Sequence, residues 1–172
     1  MTPECVRELF DLDEARGVLI WRPRADRLAN WNALYAGREA GSRNGKGYVH
    51  VRIDGRFYAA HRLVWAHFTG AEPTGEIDHK NGDRADNRPE NLRLATRGEN
   101  MRNSTARGDW PKGVYRCKKD GKFRAQIKFR GHNRGLGVFN TPEAAHAAYR
   151  AEATRLFGAF ACFDRRNLRR AA

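Results

Sequence analysis

The segment KFRAQIKFR, residues 122–130, leaves little freedom of fold. Phe123, Ala125, Ile127 and Phe129 alternate with Lys122, Arg124, Gln126, Lys128 and Arg130. A period of two is the mark of an extended strand whose successive side chains go to opposite faces. One face is apolar and the other almost wholly cationic, a pattern that solubility alone does not require. On either side, GVYRCK (113–118) and RGLGVF (134–139) read as two further strands and add Arg116, Lys118 and Arg134. Thr141-Pro142-Glu143 then supplies an N-cap, a proline at the first helical position and an acid in the first turn. In the helix that follows, Ala145, Ala148, Tyr149 and Leu156 form the inward stripe, and Gly158 ends it. The alanines let this helix lie close on the sheet.

The charge is uneven in the same sense. Across 172 residues, 33 Lys+Arg against 20 Asp+Glu give +13. Residues 1–100 hold 16 basic and 15 acidic side chains, whereas residues 101–172 hold 17 and 5. A concentrated basic region is the footprint of a polyanion partner, most often nucleic acid. Hydrophobic residues make up 40%, enough for a core, which excludes wholesale disorder. No apolar run approaches the ~20 residues needed to span a bilayer. The opening MTPECVRELFDLDEARG mixes acids with bases and has no apolar stretch of the kind a secretory signal carries. The expectation is a soluble intracellular protein with no membrane partner. Cys5, Cys117 and Cys162 are odd in number and far apart, which argues against a disulfide framework or a cysteine-based zinc site.

The first half reads as follows. A short helix or turn leads into a strand at Val18–Trp21, and residues 24–46 show weak periodicity and are expected to be mostly loop. In GYVHVRIDGRFYAAH, Val49, Val51 and Ile53 alternate with His50 and Arg52, and Asp54-Gly55 supplies a tight hairpin turn. AAHRLVWAHFTG (59–70) has helical spacing with Gly70 as its stop. His61 and His67 within it, and the four tryptophans, read as packing residues. Residues 72–91 turn polar and rich in Asp, Asn and Gly, and a structureless stretch of that length is usually functional. Leu92–Leu94 and a short helix in TRGENMRN follow, with Thr96 and Glu99 at capping-box spacing.

That polar stretch carries the chemistry. Asp78 offers a hard carboxylate oxygen and Asn100 a hard carbonyl oxygen, donors that suit Mg²⁺ or Mn²⁺ shared with phosphate oxygens and water. Asp78 and His79 are neighbours and cannot both point the same way on a strand end. One can ligate a metal while the other faces an attacking water as general base, and an imidazole near pKa 6.5 suits proton abstraction.

Residues 47–104, and within them IDHKNGDRADNRPENLRLATRGENMRN, resemble the HNH endonucleases of the phage and intron homing branch. The resemblance implies two strands and a helix clasping one divalent metal, with Asp78 and Asn100 as ligands. It implies that His79 activates water for attack on a phosphodiester and that Asn91 pins the intervening loop, so that His79 stays aimed. Asn100 stands where the family's name has histidine, and Asn103 is a weaker ligand candidate. A bacterial or phage-infected cell is the implied setting, in cytoplasm or nucleoid.

Residues 112–163, with their G-V-x-R opening, LGVF-x-T and AAHAAY, resemble the DNA-binding domain of the APETALA and ethylene-response-factor family. That implies three antiparallel strands in the DNA major groove with the helix behind. Arg116, Lys118, Arg124, Gln126, Lys128, Arg130 and Arg134 would then meet DNA, arginine and glutamine reading base edges and lysines holding phosphates. Phe123 stands where that family has tryptophan.

The whole reads as an α+β chain. A ββα-metal nuclease module is N-terminal, and a three-stranded antiparallel sheet on one helix follows. The expected boundaries are an accessory segment 1–46, nuclease 47–104, linker 105–111, DNA-binding domain 112–163 and basic tail 164–172. The expected partner is double-stranded DNA, with no small-molecule substrate and with a monomer favoured. The alternatives are a DNA-binding regulator that kept the nuclease fold without turnover, and an RNA-directed binder or nuclease.

Overall fold

The computed structural model describes residues 1–102 and 110–163. The chain forms two compact units, Met1–Thr96 and Arg97–Ala172.

The first unit begins with α1 (Pro3–Leu9), capped by the Thr2 side chain accepting from the Cys5 amide and started by Pro3. Strands β1 (Phe10–Asp13) and β2 (Val18–Trp21) form an antiparallel hairpin with Phe10 opposite Trp21 and Asp13 opposite Val18. After α2 (Ala29–Tyr35), β3 (Ser42–Arg43), β4 (Val49–Ile53) and β5 (Arg56–Ala59) make an antiparallel sheet in that order. The β4–β5 turn is Asp54-Gly55, as the sequence indicates. Next comes α3 (Ala60–Thr69), ended by Gly70 in the left-handed conformation. The last pair is a two-stranded ribbon, β6 (Glu76–His79) against β7 (Leu92–Ala95). Val6, Phe10, Leu19, Trp21, Val51, Ile53, Leu63, Val64, Ile77 and Leu92 form one continuous core. Fully burying such a side chain contributes about 1.5–3 kcal/mol, so α1, β1, β2, β4, α3, β6 and β7 are anchored to the same apolar mass.

Two expectations are corrected here. Residues 29–35 are helical rather than loop: Trp31 packs edge-on to Trp21 at 5.3 Å, and Tyr35 one turn later lies 5.0 Å from Trp31. The helix fully buries none of its residues, which is why its periodicity is faint. Residues 72–91 are not wholly irregular, because Glu76–His79 is a strand. Its partner lies beyond a twelve-residue loop, and Ile77 is opposite Leu94 there, a pairing that local pattern does not reveal.

In the second unit, α4 (Arg97–Arg102) is followed by β8 (Val114–Arg116), β9 (Phe123–Phe129), β10 (His132–Phe139) and α5 (Pro142–Phe157). The strands are antiparallel in the order β10-β9-β8. Val114, Phe123 and Ala125 pack with Ala145, and Ile127 packs with Tyr149 and Ala153. Gly113 has φ +80°, and a Cβ there would lie 2.0 Å from the Tyr149 ring, so only glycine lets the sheet meet the helix so closely. Ala148 and Leu156, expected in the buried stripe, are half-buried, and Ala153 takes the deeper place. Among the described residues, no helix is long and apolar enough to cross a membrane.

Candidate active site and cationic sheet face

β6 and β7 position the first two candidate residues. Asp78 is opposite Arg93 and His79 opposite Leu92, so consecutive side chains leave β6 on opposite faces, as the sequence leads one to expect. Both are buried, at 5% and 4% exposure, although each is polar, and burial of that kind requires partners. Asp78 finds one in Arg93: Nε and Nη2 donate to Asp78 Oδ2 at 2.9 and 2.7 Å. Both donors meet the same oxygen, and hydrogen bonds between ionised partners are stronger than neutral ones.

His79 is held differently. Its Nε2 lies 3.0 Å from Oδ1 of Asn87, itself only 2% exposed. A carbonyl oxygen can only accept, so Nε2 carries the ring proton and Nδ1 the basic lone pair. Two rings stand near His79, that of His61 5.3 Å away edge-on and that of Tyr48 6.2 Å away. Burial pulls the His79 imidazole below its ordinary pKa, partly offset by the Asn87 bond and by the carboxylates of Asp78, Asp83 and Asp86. Burial, helped by the charges of His79, Arg62 and His50, lowers His61 to about 4. Both rings are therefore neutral near pH 7.

The loop between the strands is tied from within. Asn91 ends the 3-10 turn Pro89–Asn91. Its Oδ1 accepts from the Asn81 amide at 3.0 Å, while its Nδ2 donates to Asn81 Oδ1 at 3.0 Å and to the Asp86 carbonyl at 2.7 Å. Asn81 Nδ2 in turn donates to Asp86 Oδ2 at 2.7 Å. The Arg88 guanidinium, donating to Asp86 at 2.8 Å, holds that carboxyl below the usual carboxylate range. At the rim, Arg84 lies 4.8 Å over the Tyr48 ring.

Three site residues escaped the sequence reading. Asn87 and Arg93 sit inside D-N-R-P and N-L-R, where a buried amide or a paired arginine has no signature distinct from a turn residue or a solvated charge. His61, read as packing, stands against His79. Its place on the apolar side of α3 was the available signal, since a polar ring on that side must face something. Asn100 lies on α4, in the second unit, and Asn103 falls outside the described residues. Among the described residues, no three or more His, Cys, Asp or Glu side chains gather as a metal site. An oxygen set of one carboxylate and one amide carbonyl, completed by phosphate and water, does not require such a cluster.

On the second unit's sheet, Arg124 and Lys128 are exposed and Gln126 half-buried, alternating with buried Phe123, Ala125 and Ile127. Arg124 is flanked by Tyr115 and Val138, both exposed, and Gln126 by Gly135. Arg134 does not share this face. It is opposite Ile127 and donates to Glu152 of α5 at 3.3 Å. Arg116, opposite Phe123, is also in the helix-side phase, exposed at a strand end. Lys118 lies beyond that strand, and Arg130 occupies the β9–β10 turn with φ +48°.

With this geometry in hand, comparison with known proteins is informative. Residues 58–102 match the HNH endonuclease family. The match supports an HNH nuclease, acting on DNA, in the segment that holds α3, β6, the tied loop, β7 and α4. It lies in the middle of the chain, not at its N-terminus as expected, and does not extend over the second sheet. No curated protein and no solved structure matches the chain.

Proposed function

We propose that the protein is a metal-dependent endonuclease that hydrolyses phosphodiester bonds in duplex DNA. The observation that carries this reading is the buried, neutral His79, held through Nε2 by Asn87 beside Asp78. A general base needs a lone pair aimed at water and a pKa below the working pH. In the proposed reaction, His79 Nδ1 takes a proton from water as the water oxygen bonds to phosphorus. The bond to the 3′ oxygen breaks, leaving a 5′-phosphate. Asn91 keeps the loop from drifting, and Arg93 holds Oδ2 of the Asp78 carboxylate. Asp78 would ligate one Mg²⁺ or Mn²⁺, which when bound polarises the phosphate and stabilises the leaving oxygen; Asn100, the second ligand that the resemblance implies, lies in the second unit. Asp78 fits that task as a hard carboxylate oxygen donor.

Affinity and site selection belong, in this reading, to the C-terminal sheet, of the APETALA and ethylene-response-factor type. Arg124 and Gln126 read base edges, and Lys128 holds a phosphate. Arg116, Lys118 and Arg130 act from its margins, and Arg134 serves the sheet–helix packing instead. One site per chain favours nicking by a monomer, unless two copies meet and cut both strands. Supercoiled plasmid incubated with protein and Mg²⁺ is expected to become nicked, and chelator is expected to stop it. Tight DNA binding with no cutting in either metal would instead establish a regulator.

A further inference from the structure

The β1–β2 hairpin carries none of the residues assigned a task above, yet its turn is pressed against the segment that holds His79. Gly17 has φ +66°, and a Cβ built on it would lie 2.2 Å from the Arg88 amide nitrogen and 2.4 Å from the Asn87 carbonyl carbon. Both atoms are main chain, which cannot swing aside as a side-chain tip would. The turn is held in place on its own side. The Gly17 amide donates to the Asp13 carbonyl at 2.8 Å and the Arg16 amide to Asp13 Oδ1 at 3.1 Å. Beneath it, Phe10, Leu19 and Trp21 root both strands in the core. Across the contact stands Asn87, whose Oδ1 accepts from His79 Nε2.

We infer that Gly17 is a positioning residue for the nuclease reaction. The first hairpin acts as a backstop for the Asn87–Arg88 main chain and, through the Asn87 side chain, fixes the ring plane and tautomer of His79. This rests on the proposed role of His79 as the base. It makes the segment before residue 47 part of the catalytic module rather than an accessory to it. A side chain at position 17 must push the Asn87 backbone away, and a displacement of roughly 1 Å breaks a hydrogen bond already at ordinary length. Misplacement on that scale costs about 10²-fold in rate.

The test compares Gly17→Ala with Gly55→Ala in the full chain. Gly55 has φ +82° with nothing within 4 Å of a built Cβ, so both variants carry the left-handed penalty and only the first meets Asn87–Arg88. Gly17→Ala is expected to lower kcat for Mg²⁺-dependent cleavage by about 10- to 100-fold with KM unchanged, and Gly55→Ala by no more than about twofold. Adding Gly17→Ala to Asn87→Ala is expected to cost nothing further, because both act through one hydrogen bond. Equal effects at the two glycines, or losses that multiply, overturn the inference. Nitrogen-15 NMR of the His79 ring gives a readout independent of cutting. Wild type and Gly55→Ala should show the Nε2–H tautomer, and Gly17→Ala an averaged or reversed one; an unchanged tautomer in Gly17→Ala overturns the positioning role. A wild-type protein that cuts nothing removes the nuclease reading, while the NMR comparison still decides this one. Should Gly17→Ala not fold, Asp13→Ala loosens the same turn. It is expected to move kcat and tautomer in the same direction, and no movement in either overturns the inference.

Discussion

The two units handle polar groups in opposite ways. In the first, Asp78, His79, Asn87 and Asn91 are buried and bonded to Arg93, to one another or to loop backbone. In the second, Arg124 and Lys128 stand in solvent on a strand whose alternate residues Phe123, Ala125 and Ile127 are buried. The charge follows the same division, 16 basic against 15 acidic residues up to residue 100 and 17 against 5 after it. Burial fixes direction, because a desolvated polar group tolerates few geometries. Exposure preserves reach, because counterion release on a polyanion needs only charge at a surface. Under the proposed function, a site that aims a proton acceptor and a face that grips a long charged ligand therefore call for different folds.

This contrast predicts a graded response to mutation. Arg93→Ala, which removes two hydrogen bonds to the Asp78 carboxylate, is expected to reduce cleavage or metal affinity by about 10- to 100-fold, the usual scale for a group that orients a ligand. Measured metal titrations of cleavage should reveal it, and a wild-type-like titration would show that Asp78 does not depend on its partner. On the sheet, Arg124→Ala is expected to cost about 1–3 kcal/mol at the preferred site. Lys128→Ala should weaken binding to all sequences and lower the salt slope by about one. Arg134→Ala, whose exposed pair with Glu152 is worth at most about 1 kcal/mol, should leave DNA affinity unchanged. If it matches Lys128→Ala in salt dependence, the division of the sheet into two faces is wrong.

A smaller effect concerns stability. His61 titrates near 6.5 when unfolded and at about 4 in the fold. Between those values the unfolded chain binds a proton that the native protein refuses. Stability is therefore full above pH 6.5, falls as pH drops toward 4 by at most about 3 kcal/mol, and levels below. His61→Phe should flatten that part of the profile in chemical denaturation. A slope as steep as wild type would show that His61 is not the group responsible.

The strand period at Phe123–Phe129 and the Asp54-Gly55 turn were legible because each depends on residues adjacent in the chain. So was the division of Asp78 and His79 between two faces, which follows from strand geometry alone. What was not legible depends on tertiary partners. Asn87, Arg93 and His61 acquire their meaning from a pairing across a twelve-residue loop or from another element. α2 is held by the Trp31–Trp21 contact and by the hydrogen bonds between Asn32 and the Arg24 backbone rather than by an apolar stripe. Arg134 is separated from Arg124 and Lys128 by register, set by the β9–β10 turn, which composition does not encode.

The most direct test of the account is His79→Ala, assayed in parallel for Mg²⁺-dependent DNA cleavage and for DNA affinity. Loss of the proposed base is expected to lower kcat by about 10²–10⁴-fold, with the dissociation constant for DNA unchanged within about twofold, since the proposed function assigns the grip to the sheet. Cleavage at the wild-type rate, or a fall in binding as large as the fall in cutting, would contradict the claim that a buried imidazole aimed from β6 performs the chemistry.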